Sequence, residues 1–280
     1  MTSDDQRQRS RATWDEMAPG WERNRDYMWR TTRHVAEWLV DRVGAQDGDT
    51  ILELAGGPGD IGFLAAERVG PSGKIVETDF APQMVDVARR RAAELGLTNV
   101  ETRVLDAERM DLADDSVDGI LCRWGFMLML DPDAALAECR RVLKSGGNLA
   151  LSVWGAPEKN PWVTVTGMTM IQLGHQPGGD PFRPGGMFSM ADPDKVRSML
   201  TGAGFQVVEV EEVPVEWASS SFDESWGFMT EVAGAIASLV KELPSGEVAE
   251  FRAALEKNLE PYRTDSGIVT PGVTVNVLAR

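Results

Sequence analysis

The sequence predicts an α/β protein whose sheet is mostly parallel and carries helices on both faces. Three observations predict it. Short apolar runs alternate with segments of helical period from Ile51 to Trp154, the pattern of strands joined by crossover helices. The first run, Ile51-Leu52-Glu53-Leu54, feeds a turn that holds Gly56, Gly57, Pro58 and Gly59, and an apolar-periodic segment leaves it. Later runs end on Asp79-Phe80, Asp106-Ala107 and Arg123-Trp124. Ligands of such sheets sit beyond the carboxyl ends of the strands, so these residues and the glycine turn are expected along one crevice.

Taken in order, residues 1–11 are polar and are expected to fray. Arg11 to Val43 reads as two helices broken near Pro19-Gly20. Trp14, Met17 and Trp21 share a face of the first; the second, from about Thr31, carries Val35, Trp38, Leu39 and Val43 at helical spacing. Strand one is followed by a helix over Ile61–Val69, and Gly70-Pro71-Ser72-Gly73 turns the chain into strand two, Lys74 to Thr78. A helix over Ala81–Leu95 and strand three, Val100 to Leu105, come next, then strand four, Val117 to Cys122. Asp131-Pro132-Asp133 opens a helix through Leu143, with proline where its missing N–H costs little. Ser145-Gly146-Gly147 is expected to end that helix, and Asn148 to Trp154 is strand five. Beyond it lie a helix over Trp162–Leu173, a Gly/Pro-rich loop, a helix over Asp192–Ala203, strand six over Phe205–Trp217, helices within Phe222–Leu259 and a final strand, Val269 to Leu278. The organisation expected is a helical segment at 1–45, a nucleotide-binding core at 46–154, cap insertions at 155–190 and 222–262, and completion of the sheet by 191–221 and 263–280.

Composition narrows the function. With 280 residues and 42% hydrophobic content, the chain can build one large domain, or one domain plus a cap. No apolar run reaches the length of a membrane span, and the polar N-terminus is unlike a secretory signal. Cys122 and Cys139 give neither a disulfide framework nor a metal-ligand spacing, so no metal is expected and a reduced, cytoplasmic protein is. The net charge of −16 disfavours a nucleic-acid partner, and the longest basic cluster, Arg89-Arg90-Arg91, reads as a solvated helix face. Nine tryptophans point to an apolar or aromatic small-molecule ligand, or simply to core.

The glycine turn carries the chemistry. Glycine lets the backbone approach a ligand and adopt φ > 0, and the free N–H groups at the helix start favour an anionic group. Gly57 to Gly62 satisfies the G-x-G-x-x-G dinucleotide pattern, which alone would suit an NAD-dependent oxidoreductase. Asp79, at the end of strand two, can accept from both hydroxyls of a ribose, a role that NAD folds use as well. Phe80 and Met84 can pack on an adenine, although Met84 also suits core filling. The Asp106 carboxylate can accept from the adenine amino group while the Ala107 N–H donates to a ring nitrogen; Asp106 also fits a helix N-cap. Trp14, Trp21 and Tyr27 fit equally as packing or as a lid over a ligand. Of the two histidines, His34 reads as structural, and His175, in a cap loop, is the weak candidate for a general base. Arg123 can hold an anionic acceptor with its planar fork, or form a structural ion pair.

The wider stretch, with Glu53 leading and Ala55 in the first glycine slot, resembles motif I of the class I S-adenosylmethionine (SAM) dependent methyltransferases. Thr78-Asp79-Phe80-Ala81-Pro82-Gln83-Met84, Leu105-Asp106-Ala107-Glu108, Ser116-Val117-Asp118 and Arg140-Arg141-Val142-Leu143-Lys144-Ser145-Gly146-Gly147 are similar to its successive blocks, particularly in the quinone-biosynthesis and small-molecule branch. The resemblance spans about Ile51 to Trp154 and departs at Ala55, whose methyl narrows the approach to the ligand. It implies a Rossmann-like, seven-stranded sheet with an antiparallel last strand, and an N-terminal segment that covers the cofactor. It implies motif I contacts at Glu53, Ala55, Gly56, Gly57 and Gly59, ribose contact at Asp79, adenine contact at Asp106 and Ala107, and cofactor-adjacent backbone at Arg123 and Trp124. The activity implied is methyl transfer from SAM, leaving S-adenosylhomocysteine (SAH), to a small molecule through an O, N or C nucleophile. Two alternatives stand beside it: the NAD-dependent oxidoreductase, which leaves Glu53 and Asp106-Ala107 unexplained, and a SAM-binding protein without catalysis.

Overall fold

A computed structural model describes residues 3–177 and 179–280. Its strands are β1 (Thr50–Glu53), β2 (Lys74–Asp79), β3 (Val100–Val104), β4 (Val117–Arg123), β5 (Leu143–Trp154), β6 (Val207–Ser219), β7 (Arg263–Thr264) and β8 (Gly267–Ala279). They form one sheet in the order β3-β2-β1-β4-β5-β8-β6, with the two-residue β7 added beside β8. Neighbours from β3 to β5 are parallel, and β8 is antiparallel to both β5 and β6. The expected mostly parallel sheet with an antiparallel last strand is therefore present; the eighth strand is the short β7. Ile51, Leu52, Ile120, Leu121 and Ala150-Leu151 are buried in unbroken runs, as strands covered on both faces require.

The helices are α1 (Ser3–Arg23), α2 (Arg25–Val43), α3 (Asp60–Val69), α4 (Pro82–Glu94), α5 (Pro132–Val142), α6 (Pro161–Gln172), α7 (Pro193–Gly202), α8 (Phe222–Val232), α9 (Gly234–Glu242) and α10 (Ser245–Asn258). Asp131 caps α5 by accepting from the Ala134 N–H, and Pro132 occupies the first turn. Helix α2 lies on the face formed by β4, β5, β6 and β8, and α6 packs against α10.

Four expectations are corrected. Residues 3–11 are helical rather than frayed, whereas Met1 and Thr2 lie outside the described residues. The break near Pro19-Gly20 does not occur: α1 runs through Pro19. Gly20 instead sits against the Glu231 backbone of α8, where a side chain would clash, so the pair marks a close helix contact. The chain breaks at Asn24, whose Nδ2 donates to the Gly20 carbonyl and to Glu231 Oε2, both at 2.9 Å, and α2 starts at Arg25 rather than near Thr31. Ser145-Gly146-Gly147 does not end a helix; α5 stops at Val142, and the three residues bulge within β5, where the register jumps from Val117↔Leu143 to Gly119↔Asn148.

The tie between α6 and the sheet is one asparagine. Asn160, fully buried, donates from Nδ2 to the Gly155, Ala156 and Val273 carbonyls and accepts at Oδ1 from Val273 N and Trp162 Nε1, each at 3.0–3.1 Å.

Candidate functional site

The carboxyl ends of β1, β2 and β4 frame the crevice. At its floor Glu53 and Glu77 face each other in register, each 1% exposed. Glu53 Oε2 accepts from the Gly62 N–H at 2.5 Å. Burial raises the pKa of both; Glu77 goes well above the ordinary carboxylate range, the charge of Glu53 adding to burial. Glu77 is thus the member of the pair that holds a proton, beside Glu53. Gly56 and Gly62 are glycines for this reason: a Cβ at Gly56 would fall on the Glu77 carboxylate, and one at Gly62 on both acids.

Above that pair the loop turns through left-handed backbone at Ala55 (φ 51°), Gly57 (φ 56°) and Gly59 (φ 86°). Ala55 is the residue that tolerates this conformation least, and it stands exposed at the mouth of the crevice. An added Cβ at Gly57 meets nothing within 4 Å, so the loop leaves open space there, a cradle for a ligand. Asp79 closes the side: Oδ2 accepts from the Gly57 N–H at 3.0 Å and Oδ1 from the Ala81 N–H at 2.8 Å. Burial pushes its acid up to about 6, against the pull of those donors.

The remaining rim residues fall into three settings. Phe80 is half-buried beneath Arg11 of α1, whose guanidinium lies 5.7 Å from the ring centroid. Asp106 does not cap a helix; its Oδ1 accepts from the Glu108 N–H in a tight turn, Arg7 of α1 lies 3.7 Å from its Oδ2, and Arg7 also pairs with Glu108. Ala107 is buried beside it, and Met84 is packed in a small core with Met17, Ala18 and Ala81, flanked by Trp14 and Trp21. Trp124, at φ 57°, donates from Nε1 to Thr274 and stacks on Trp154 at 4.2 Å. Arg123 donates to Thr32 Oγ1 of α2 at 2.6 Å.

Tyr27 and His175 lie in other surroundings. Tyr27 is core: its hydroxyl meets Ser219 at 3.0 Å, and its ring packs on Trp217 and Phe228. His175 turns to α10, its Nε2 3.5 Å from Glu247. The solvated-face reading of Arg89-Arg90-Arg91 holds for two of the three. Arg91 points inward, pairs with Asp60 at 2.8 Å, donates to the Pro58 carbonyl and covers the Phe63 ring. Glu77 and Arg7 were not anticipated. The signal for Glu77 was a charged residue in a central strand two positions before Asp79; Arg7 had none, because its partners are about a hundred residues away.

Arg7 gives a direct test of α1 as a cover. Arg7→Ala removes a partly buried charged contact, which is worth about 1.5–3 kcal/mol. It is expected to expose the first helix to limited proteolysis and to speed release of a ligand held in the crevice about tenfold or more.

Residues 45–172 match a family model described as a methyltransferase domain. The demethylmenaquinone methyltransferase of Thermus thermophilus is 32% identical over 192 residues, covering 65% of this chain and 83% of that protein. The ubiquinone/menaquinone biosynthesis C-methyltransferase UbiE of Bordetella parapertussis is 40% identical over 112 residues, 40% of this chain and 43% of that one. The chain spans only about half the length of such C-methyltransferases. Among solved structures, a SAM-dependent methyltransferase from Aquifex aeolicus superposes with a TM-score of 0.50 at 25% identity, over 64% of this chain and 83% of that one.

Proposed function

Since the chain belongs to the class I SAM-dependent methyltransferases, in the branch of the quinone-biosynthesis enzymes, we propose that it moves a methyl group from SAM to a small-molecule acceptor by in-line displacement. The observation that carries the proposal is Asp79, held by the Gly57 and Ala81 N–H groups beside the open cradle of the glycine loop. When bound, SAM supplies a methyl carbon already made electrophilic by its sulfonium. The chain's own tasks are alignment and exclusion of water.

In this proposal the Asp79 carboxylate accepts from the ribose hydroxyls, and Gly56, Gly57 and Gly59 bring backbone close to the methionyl end. Glu53 acts from beneath, fixing the loop through Gly62. Phe80, Asp106 and Ala107 form the adenine side, which Arg7 and Arg11 of α1 close. Met84, Trp14 and Trp21 support that closure from behind rather than touching the ligand. The segments 155–190 and 222–262 cap the acceptor side, and the acceptor is apolar or aromatic in body. His175 is left without a part, since its partner is Glu247. A cytoplasmic setting suits the two buried free thiols, and no helix among the described residues is long and apolar enough to cross a membrane.

Isothermal titration with SAM and SAH, paired with transfer of a labelled methyl group to an acceptor panel, tests the proposal. Binding of both and transfer to a small molecule are expected. Failure to bind either ligand, or a fluorescence response to NADH in their place, would overturn it.

A further inference from the structure

In a chain with 44 acidic and 28 basic residues, Arg123 is a half-buried cation that forms no ion pair among the described residues. Its guanidinium donates to the neutral Thr32 hydroxyl and lies over the Trp124 ring, 4.9 Å from the centroid. The carboxylates that act on it, Asp60 and Glu53, are engaged elsewhere: Asp60 pairs with Arg91, and Glu53 holds Gly62 and faces the Glu77 proton. Burial disfavours its charged form, so an anion brought beside it recovers part of that cost.

A second observation says on which side that anion arrives. Ser152 stands beside Arg123 across the β4–β5 pairing and beside Asn276 across the β5–β8 pairing, so the three share one face of the sheet, under α2. Ser152 Oγ and Asn276 Nδ2 are fully buried without a hydrogen-bond partner among the described residues, and so is Trp217 Nε1, further along the same face on β6. All three can donate. They lie on β5, β8 and β6, on the opposite side of β4 from the glycine loop. Between them runs a wall of indoles: Trp124 on Trp154, Trp154 tilted on Trp162 at 4.9 Å, and Trp162 stacked on Trp217 at 4.4 Å.

We propose that Arg123 is the residue that selects an anionic methyl acceptor with a planar apolar body, an aromatic carboxylate or phenolate. The negative oxygen takes the guanidinium and the spare donors of that face, and the ring takes the indole wall. This rests on the methyltransferase reading, and it assigns Arg123 to the acceptor rather than to the methionyl carboxylate.

The test uses the full-length protein loaded with SAH and compares 2-naphthoate with its uncharged isostere 2-naphthamide by titration calorimetry. The wild type is expected to prefer the carboxylate by about tenfold or more, and Arg123→Met to bring the two within about twofold. Arg123→Lys, which keeps the charge and loses the planar fork, should fall between and guards against misfolding of the methionine variant. Equal binding of both probes by the wild type, no binding of naphthoate at millimolar concentration, or a preference that survives Arg123→Met would each overturn the assignment. So would a loss of SAH affinity of about tenfold in Arg123→Met with the naphthoate preference intact, which would move the guanidinium to the cofactor. If the wild type fails to bind SAH, the methyltransferase reading falls by itself, and the same two probes on the unloaded protein still decide the anion site.

Discussion

Asp79→Ala lowers the affinity for SAM by about two to three and a half orders of magnitude, since two hydrogen bonds to a charged acceptor are worth ~3–5 kcal/mol together. Titration calorimetry at neutral pH reads the loss directly. The carboxylate also orders the loop, because Gly57 and Ala81 both donate to it, so the variant is expected to weaken SAH in parallel. Its pH dependence separates a ligand role from a purely structural one. Burial holds the acid at about 6, while the N–H groups of Ala81, Gly57 and Phe80 pull it down and Asp15 of α1 pushes it up. A ribose can donate twice only to the ionised form, so wild-type affinity is expected to fall as the pH drops through about 6 and to be flat above it. Asp79→Asn, which keeps the shape and loses the charge, should bind weakly at every pH with no inflection there. A wild-type profile without that inflection, or an alanine variant with unchanged affinity, would remove Asp79 from the ligand.

Asp79 was legible in the sequence because its position follows from local pattern: a strand, an acid at its end, a turn. The same holds for Glu53, for the glycines and for the succession of strands along the chain, each set by a pattern that a few neighbouring residues display. What was not legible depends on partners distant in the chain. Pro19 reads as a break until α8 is seen against Gly20, and Arg91 reads as a surface residue until Asp60 and the Pro58 carbonyl are placed beside it. Asn160 looks like one more polar residue near a proline, yet its amide satisfies five backbone and side-chain groups, two of them at Val273. Arg123 is the converse case. An ion pair is the simpler expectation, yet none forms among the described residues, and the two carboxylates that act on it, Glu53 and Asp60, hold other partners.

Glu77→Gln is expected to abolish a pH dependence of stability that the wild type carries. Two buried carboxylates in register cannot both ionise, so folding holds a proton that the unfolded chain releases. Because the folded-state pKa of Glu77 lies above its unfolded value, the native state binds more protons in the interval between them. The stabilising effect of that proton is complete below the unfolded value and is lost as pH rises through the folded one, at a slope of at most ~1.4 kcal/mol per pH unit. Thermal unfolding of the wild type should therefore shift to lower temperature from weakly acidic to alkaline pH. The glutamine amide donates to Glu53 at every pH without needing a proton, so its profile should be flatter and its melting temperature higher than that of the wild type on the alkaline side. Glu77→Ala separates charge from packing: it also removes the proton, but it strips Glu53 of its donor and opens a void beneath Gly56, and should be destabilised by about 2–4 kcal/mol throughout. A glutamine variant that tracks the wild-type profile would mean that the floor of the crevice holds two ionised acids, and the account of why Gly56 and Gly62 must be glycine would then rest on space alone.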